Sequence, residues 1–302
     1  MGLNYADFKL LKATNCIASS TFNNSCNLLM LGRLKVTLSE NQKKNCSKEF
    51  NLDLNSFSGY AEKLLLEMGC TGVKSLDYSD FEGSDIVWNL NQSIFQSPSN
   101  SELMDTYDII LDFGTTEHVF NPAQSVANSI NMLKKNGRLV ITLPITGSVD
   151  HGLYQFAPNW FYAMESESFK LERLYFFENQ SKKNKILIWD GLDINFQEHI
   201  DGTFDGSYRA SLFQYLNAPI YSFAIFQKKD NINEKDFVEN THQRLYANWW
   251  KGKFQHLDNK KSFKNELKNF IHNNLNSLFK HSIYKNYIKN KSININSISP
   301  LD

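Results

Sequence analysis

The chain has 302 residues, of which 41% are hydrophobic, 21% charged and 14% aromatic, and its 32 Lys and Arg balance 32 Asp and Glu. That composition is too apolar for a disordered chain and suits one large α/β domain with an appendage, or two modest domains. The zero net charge hides one asymmetry: residues 251 to 302 carry ten Lys against three acids, spaced along amphipathic-looking segments as on a solvated helical face rather than clustered as in a nucleic-acid or membrane patch.

Taken in chain order, a short N-terminal helical segment precedes "NLLMLGRLKVTL" (27 to 38), a strand that turns at Gly32. "SFSGYAEKLLLEMG" (56 to 69) places Tyr60, Leu64, Leu65 and Met68 on one helical face, with Gly69 as the stop. "GVKSLDYSDFEG" gives a second strand ending at Asp77, and "SDIVWNLN" a third ending at Asn89. The fourth, "YDIILDFGTTEHVFNP" (107 to 122), is nearly continuous in hydrophobicity and breaks off into small and ionisable residues, as a buried parallel strand does where it opens into a site.

Asn121 and Pro122 supply the cap and first turn of a helix that carries Val126, Ile130 and Leu133 on one face, with Lys134, Lys135, Asn136 and Gly137 as its expected stop. "RLVITLPI" is the fifth strand, closed by Pro144. "LERLYFFEN" and "KILIWDGL" follow as strands far enough from it for an antiparallel hairpin or an insertion. "SYRASLFQYLN" then reads as a helix leading into a last strand at 219 to 229. From 231 the strand patterns stop and Asn and Lys rise, and "NTHQRLYANWWKGKF", "FKNELKNFIHNNLNSLF" and "HSIYKNYIKN" suggest helices. The apolar load of "YANWW" calls for burial, as a cap over the site or in a homodimer interface.

Strands alternating with helices at this spacing predict an α/β fold: a Rossmann-like, doubly wound, mostly parallel seven-stranded sheet with a helical C-terminal extension. The expected division is 1–230, with 1–26 as an N-terminal helical segment, and 231–302. Cys16, Cys26, Cys46 and Cys70 form no C-x-x-C pair and have no His at zinc-finger spacing, so they read as buried thiols and no metal is expected. The opening residues lack a signal-peptide core, Ala6 stands where a myristoylation motif wants Ser or Thr, and no long apolar run is present; the expected location is cytoplasmic.

In an open α/β sheet ligands sit outside the carboxyl ends of the strands. Those ends carry Gly32, Asp77, Asn89, Asp112 to His118, and Pro144 to His151. Glycine lets the chain pass close to a ligand, and a carboxylate at the end of the second strand can accept both hydroxyls of a ribose, although "DYSD" is equally good turn composition. A dinucleotide wants G-x-G-x-x-G, and here a lone Gly32 is followed by Arg33, Leu34 and Lys35, so a cofactor without phosphates fits better than a pyrophosphate.

The order of strand ends, with "YDIILDFGTTEHVFNP" followed after one helix by "LKKNGRLVITLP", resembles the class I S-adenosylmethionine-dependent methyltransferases over roughly residues 27 to 230. The resemblance implies that Gly32 and Arg33 lie under the methionine part of S-adenosyl-L-methionine, that Asp77 with Tyr78 holds the ribose, and that Asn89 and Leu90 face the adenine. It also implies that the backbone of Asp112, Phe113 and Gly114 lines the methionine pocket. The first motif departs from the family: Met30 stands where an acid is usual, and Leu34 and Val36 where two more glycines are. "LGRL", "DYSDFEG", "DFGTTEHVFN" and "HGLYQFAPNWF" together resemble methyltransferases of bacterial surface-polysaccharide gene clusters, including those associated with capsular phosphoramidate, in which that motif is commonly reduced.

Methyl transfer is an in-line displacement, and a hydroxyl acceptor must also lose its proton. His118 and His151 are candidate bases, and Glu117 either shares that work or braces the following helix. Tyr154, Phe156 and Trp160 suggest a substrate wall, with a core-facing lid as the alternative. An anionic phosphate or phosphoramidate oxygen would need no base, and Arg33, Lys35 or Arg209 would then position it. Two other classes stay open: a methyltransferase-like fold that binds a partner without catalysis, and a nucleic-acid methyltransferase, against which stands the absence of an "N/D-P-P-Y/F" motif.

Overall fold

The computed structural model describes residues 2–17, 25–54, 59–178, 186–192, 218–241, 289–290 and 292–301. The expected helices at 207 to 217 and beyond 241, with Arg209 and the 246–250 aromatics, lie outside the described residues.

The strands are β1 (Gly2–Leu3), β2 (Asn27–Leu31), β3 (Lys35–Val36), β4 (Gly72–Asp77), β5 (Ile86–Val87), β6 (Tyr107–Phe113), β7 (Leu133–Thr142), β8 (Pro144–Thr146), β9 (Phe169–Glu178), β10 (Ile188–Asp190) and β11 (Ile220–Lys228). Among the described residues nine of them form one sheet in the order β10-β9-β11-β7-β6-β2-β4-β5, with β8 pairing with β11. The pairs from β5 across to β7 are all parallel, whereas β11 runs antiparallel to β7, β8 and β9, and β10 runs antiparallel to β9. The fold is therefore Rossmann-like and mostly parallel, with nine strands where seven are expected. From β2 the chain winds outward to β4 and β5, then returns to start β6 on the other side of β2. The order reverses between β2 and β6, and a ligand crevice opens at such a point.

Both faces of the sheet are covered, which is why its central strands are apolar throughout. Leu29, Leu31 and Ile110 join the core under helix α4 (Pro122–Met132) and helix α5 (Pro158–Met164). Leu28, Met30, Ile109 and Leu111 join the opposite core with Phe8 and Leu11 of α1 (Tyr5–Thr14) and Leu64 and Leu65 of α3 (Glu62–Glu67). Helix α2 (Glu40–Phe50) is polar and buries only Gln42 and Cys46, so it leaves no apolar stripe in the sequence.

Helix α4 starts as its cap predicts, with the Asn121 side chain accepting from Gln124 N. It stops at Met132, short of the expected Lys-Lys-Asn-Gly signal, because Leu133 already pairs with Tyr107 and the Lys134 ammonium is drawn to Asp108. Near the end of the chain, Ile293 N donates to Ile188 O, Leu301 N donates to Thr14 O, and Ile298 and Leu301 join the α1-side core. No helix among the described residues is long and apolar enough to cross a membrane.

Asp7 lies buried under the carboxyl end of β7, where its carboxylate accepts from the Thr142 hydroxyl at 3.1 Å and from Asn4 N at 3.3 Å. Burial pushes its pKa up from 3.8 to about 7. A raised carboxylate pKa means the folded chain keeps a proton that the unfolded chain releases, so stability falls as pH rises through that window and levels off above it. Asp7→Asn can accept from Asn4 N through its one oxygen and donate its amide to the Thr142 hydroxyl, and it cannot ionise. Melting curves at about pH 5 and pH 8 should therefore show the variant gaining on the wild type by roughly 2–3 kcal/mol between the two, whereas an unchanged difference would mean that Asp7 ionises as an exposed acid does.

Candidate active site

The carboxyl ends of the central strands lie level with one another. Leu31 pairs with Leu76 on one side and Asp112 on the other, and Asp112 pairs with Ile141, so Gly32, Asp77, Phe113 and Thr142 each stand one residue further on. Gly32 sits in the left-handed region (φ 72°) with its N–H donating to Leu76 O at 2.7 Å, which holds the β2 exit against the end of β4. Beyond it the chain enters β3 instead of a helix. Leu34 is fully buried and its carbonyl accepts from Ala61 N, while Val36 N donates to Gly59 O. No helix N-terminus follows Gly32 to receive a pyrophosphate.

Asp77 is half-buried, and its Oδ1 accepts from Tyr78 N at 2.6 Å. Its other carboxylate oxygen has no partner among the described residues, so the turn and the ligand readings of Asp77 coexist in one side chain. Asn89 Oδ1 closes a tight turn by accepting from Asn91 N and from the Asn91 amide, both at 3.0 Å.

Several expected site residues are otherwise engaged. The Arg33 guanidinium donates to Glu62 and to the Glu82 carbonyl and lies 4.0 Å over the Tyr60 ring, so it braces the loop beside the crevice. Leu90 and Phe113 send their side chains into the two cores and can offer a ligand only main chain. Phe156 also belongs to the core, 4.5 Å from Trp160 between ring centroids, and the Tyr154 hydroxyl donates to Phe120 O. The aromatic run is thus mainly a wall of the fold; Tyr154 and Trp160 remain half-buried at its edge.

The β6 exit is the most ordered part of the site. Asp112 Oδ1 accepts from Thr115 N at 3.0 Å and Thr116 N at 3.3 Å, bending the chain through Gly114 (φ 92°) into a tight turn at Thr116–His118. Thr115 donates its hydroxyl to Leu31 O, and the Thr116 hydroxyl bonds to Ser125 of α4. Glu117 is thereby fixed inward, fully buried, and neither of its carboxyl oxygens has a hydrogen-bond partner among the described residues. Burial, reinforced by the Asp112 charge, pushes its pKa up to about 8.

Two imidazoles close over that carboxyl. His118 Nε2 lies 4.0 Å and His151 Nε2 3.9 Å from the same Glu117 Oε1, and the two ring centroids are 5.5 Å apart. Burial, with His151 nearby, lowers the His118 pKa, so that imidazole is neutral at neutral pH. His151 arrives on the loop after β8, which is tied to Glu117 by its backbone: Leu153 N donates to Glu117 O at 2.8 Å and Tyr154 N to the same oxygen at 3.3 Å. Sequence reading picks out all three residues but not Gly152, on which their meeting depends. A Cβ at Gly152 would stand 2.8 Å from Glu117 Cγ and 3.0 Å from its carbonyl oxygen.

No family model matches the chain, and no curated protein matches it. Among solved structures it is similar to a putative methyltransferase from Bacillus halodurans C-125, with 13% identity over 76% of this chain and 99% of that one and a TM-score of 0.38. It is also similar to 1,6-didemethyltoxoflavin-N1-methyltransferase of Burkholderia thailandensis, solved with S-adenosylhomocysteine, at 11% identity, 74% and 79% coverage and a TM-score of 0.37. A third, a SAM-dependent methyltransferase from Archaeoglobus fulgidus, shows 14% identity, 73% and 94% coverage and a TM-score of 0.36.

Gly152→Ala should force the loop off the Glu117 main chain and separate His151 from Glu117. The expected cost is about 1–3 kcal/mol in a denaturant melt, with movement of both His imidazole resonances in NMR spectra; a variant with wild-type stability and unmoved resonances would show that the loop accommodates the methyl.

Proposed function

We propose that the chain binds S-adenosyl-L-methionine in the crevice between the β2 and β6 exits and transfers its methyl group to a small polar acceptor. The observation that carries the reading is the convergence, at the point where strand order reverses, of a left-handed Gly32, an Asp77 with one uncommitted oxygen and the Gly114 turn. Gly32 and the main chain of Asp112 to Gly114 would lie along the methionine part. Asp77 would accept the ribose hydroxyls, and Asn89 with the Leu90 main chain would meet the adenine edge. The bend of the chain into β3 after Gly32 suits a cofactor without phosphates.

The acceptor would approach from the side of Glu117, His118 and His151. A neutral imidazole there can take the proton of a hydroxyl as its oxygen attacks the methyl carbon and the sulfonium leaves as a thioether, and the crevice walls supply the alignment. The likeness of "LGRL", "DYSDFEG", "DFGTTEHVFN" and "HGLYQFAPNWF" to methyltransferases of surface-polysaccharide clusters favours a sugar hydroxyl, or a phosphate or phosphoramidate oxygen, on a glycan precursor. Burial of Leu34 where the family keeps a glycine favours a second reading, a partner-binding protein of the same fold that holds no cofactor.

Calorimetric titration with S-adenosylmethionine and S-adenosylhomocysteine separates the two. Binding in the micromolar range that falls about tenfold or more in Asp77→Ala is expected. A folded protein that takes up neither molecule would leave the partner-binding reading standing.

A further inference from the structure

We infer that Glu117, His118 and His151 form a binding site for a divalent transition-metal ion of the zinc or ferrous type. The three side chains offer one ligand atom each, all within 4.8 Å of one another, from two separate loops that the backbone bonds of Glu117 hold together. Two imidazoles and one carboxylate are a donor set that such ions take at sites which keep open positions.

The independent observation is the state of Glu117. Its carboxyl is fully buried and both oxygens lack a hydrogen-bond partner among the described residues, an arrangement that costs free energy whether the group is charged or neutral. Two imidazole nitrogens stand 3.9 and 4.0 Å from its Oε1, too far for hydrogen bonds, on side chains that are about half exposed. A cation between them would satisfy the carboxylate and both nitrogens at once. Ligands at about 2.1 Å from a tetrahedral ion stand roughly 3.4 Å apart, so the 3.9 and 4.0 Å carboxylate–imidazole distances must close by about half an ångström, and the two imidazole ligand atoms, which lie within 4.8 Å of each other, must draw together as well. The rings can supply that movement, because the His118 and His151 side chains are 44% and 52% exposed while Glu117 is held.

An ion held by these three residues would have the two imidazoles as ligands, and a hydroxyl bound to it would be more acidic than a free one, its proton passing to solvent water. The inference does not depend on the cofactor reading, since the ion alone is the probe.

The test is titration of the full chain, stripped with chelator, with Zn²⁺ by calorimetry and with Co²⁺ by visible absorption, in the absence of S-adenosylmethionine. The expected result is a site of one ion per chain at micromolar affinity or tighter, with cobalt absorption bands of a low-coordinate nitrogen and oxygen site. Glu117→Gln, His118→Ala and His151→Ala, each shown to be folded by circular dichroism, should each weaken it by at least about tenfold. Absence of uptake by the folded wild type, or uptake equally tight in all three variants, would overturn the assignment; the latter would place the ion elsewhere on the chain.

Discussion

The turn that the Asp112 carboxylate makes at the end of β6 fixes most of what is distinctive in this molecule. One buried oxygen accepts two successive backbone N–H groups and folds the chain back within a few residues of the strand. From that turn Thr115 reaches across to β2 and Thr116 to α4, so the β6 exit is clamped to both neighbours. Glu117 has no freedom to turn outward, and its carbonyl becomes the anchor for the loop carrying His151. Remove the Asp112 acceptor and the two loops lose their common reference.

Acids recur at this end of the sheet. Asp7, Asp112 and Glu117 are all buried, and burial raises all three pKa values. They differ in how they are satisfied. Asp7 has a hydroxyl and a backbone N–H, Asp112 has two backbone N–H groups, and the Glu117 carboxyl oxygens have no hydrogen-bond partner among the described residues. The first two are therefore parts of the scaffold. The third has no hydrogen-bond partner among the described residues, which sets it apart from the two scaffold carboxyls in a cluster that sequence cannot sort.

What the sequence makes legible follows from how burial writes itself into pattern. β6 is read from its continuous apolar run because both faces of a central parallel strand are covered, and the start of α4 is read from Asn121 and Pro122 because capping is local. The end of α4 is misplaced because a strand contact, Leu133 with Tyr107, outweighs a local stop signal. α2 is invisible because it buries almost nothing. Phe156 looks like a site residue and is core, since an aromatic near a loop carries no mark of which way it points. Glu117, His118 and His151 stand out by residue type, yet their meeting rests on Gly152 packing against a residue 35 positions away, and no local pattern records that contact.

The loop bearing His151 is held by main-chain groups at both ends: Phe156 N donates to Pro144 O, and Leu153 N and Tyr154 N donate to Glu117 O. Its exposed side chains, Val149 and Leu153, take no part in those bonds. Loop position and loop surface are thus set by different atoms. Substitution at the exposed positions can change the surface that this loop presents while its main chain, and the imidazole it carries, stay where they are.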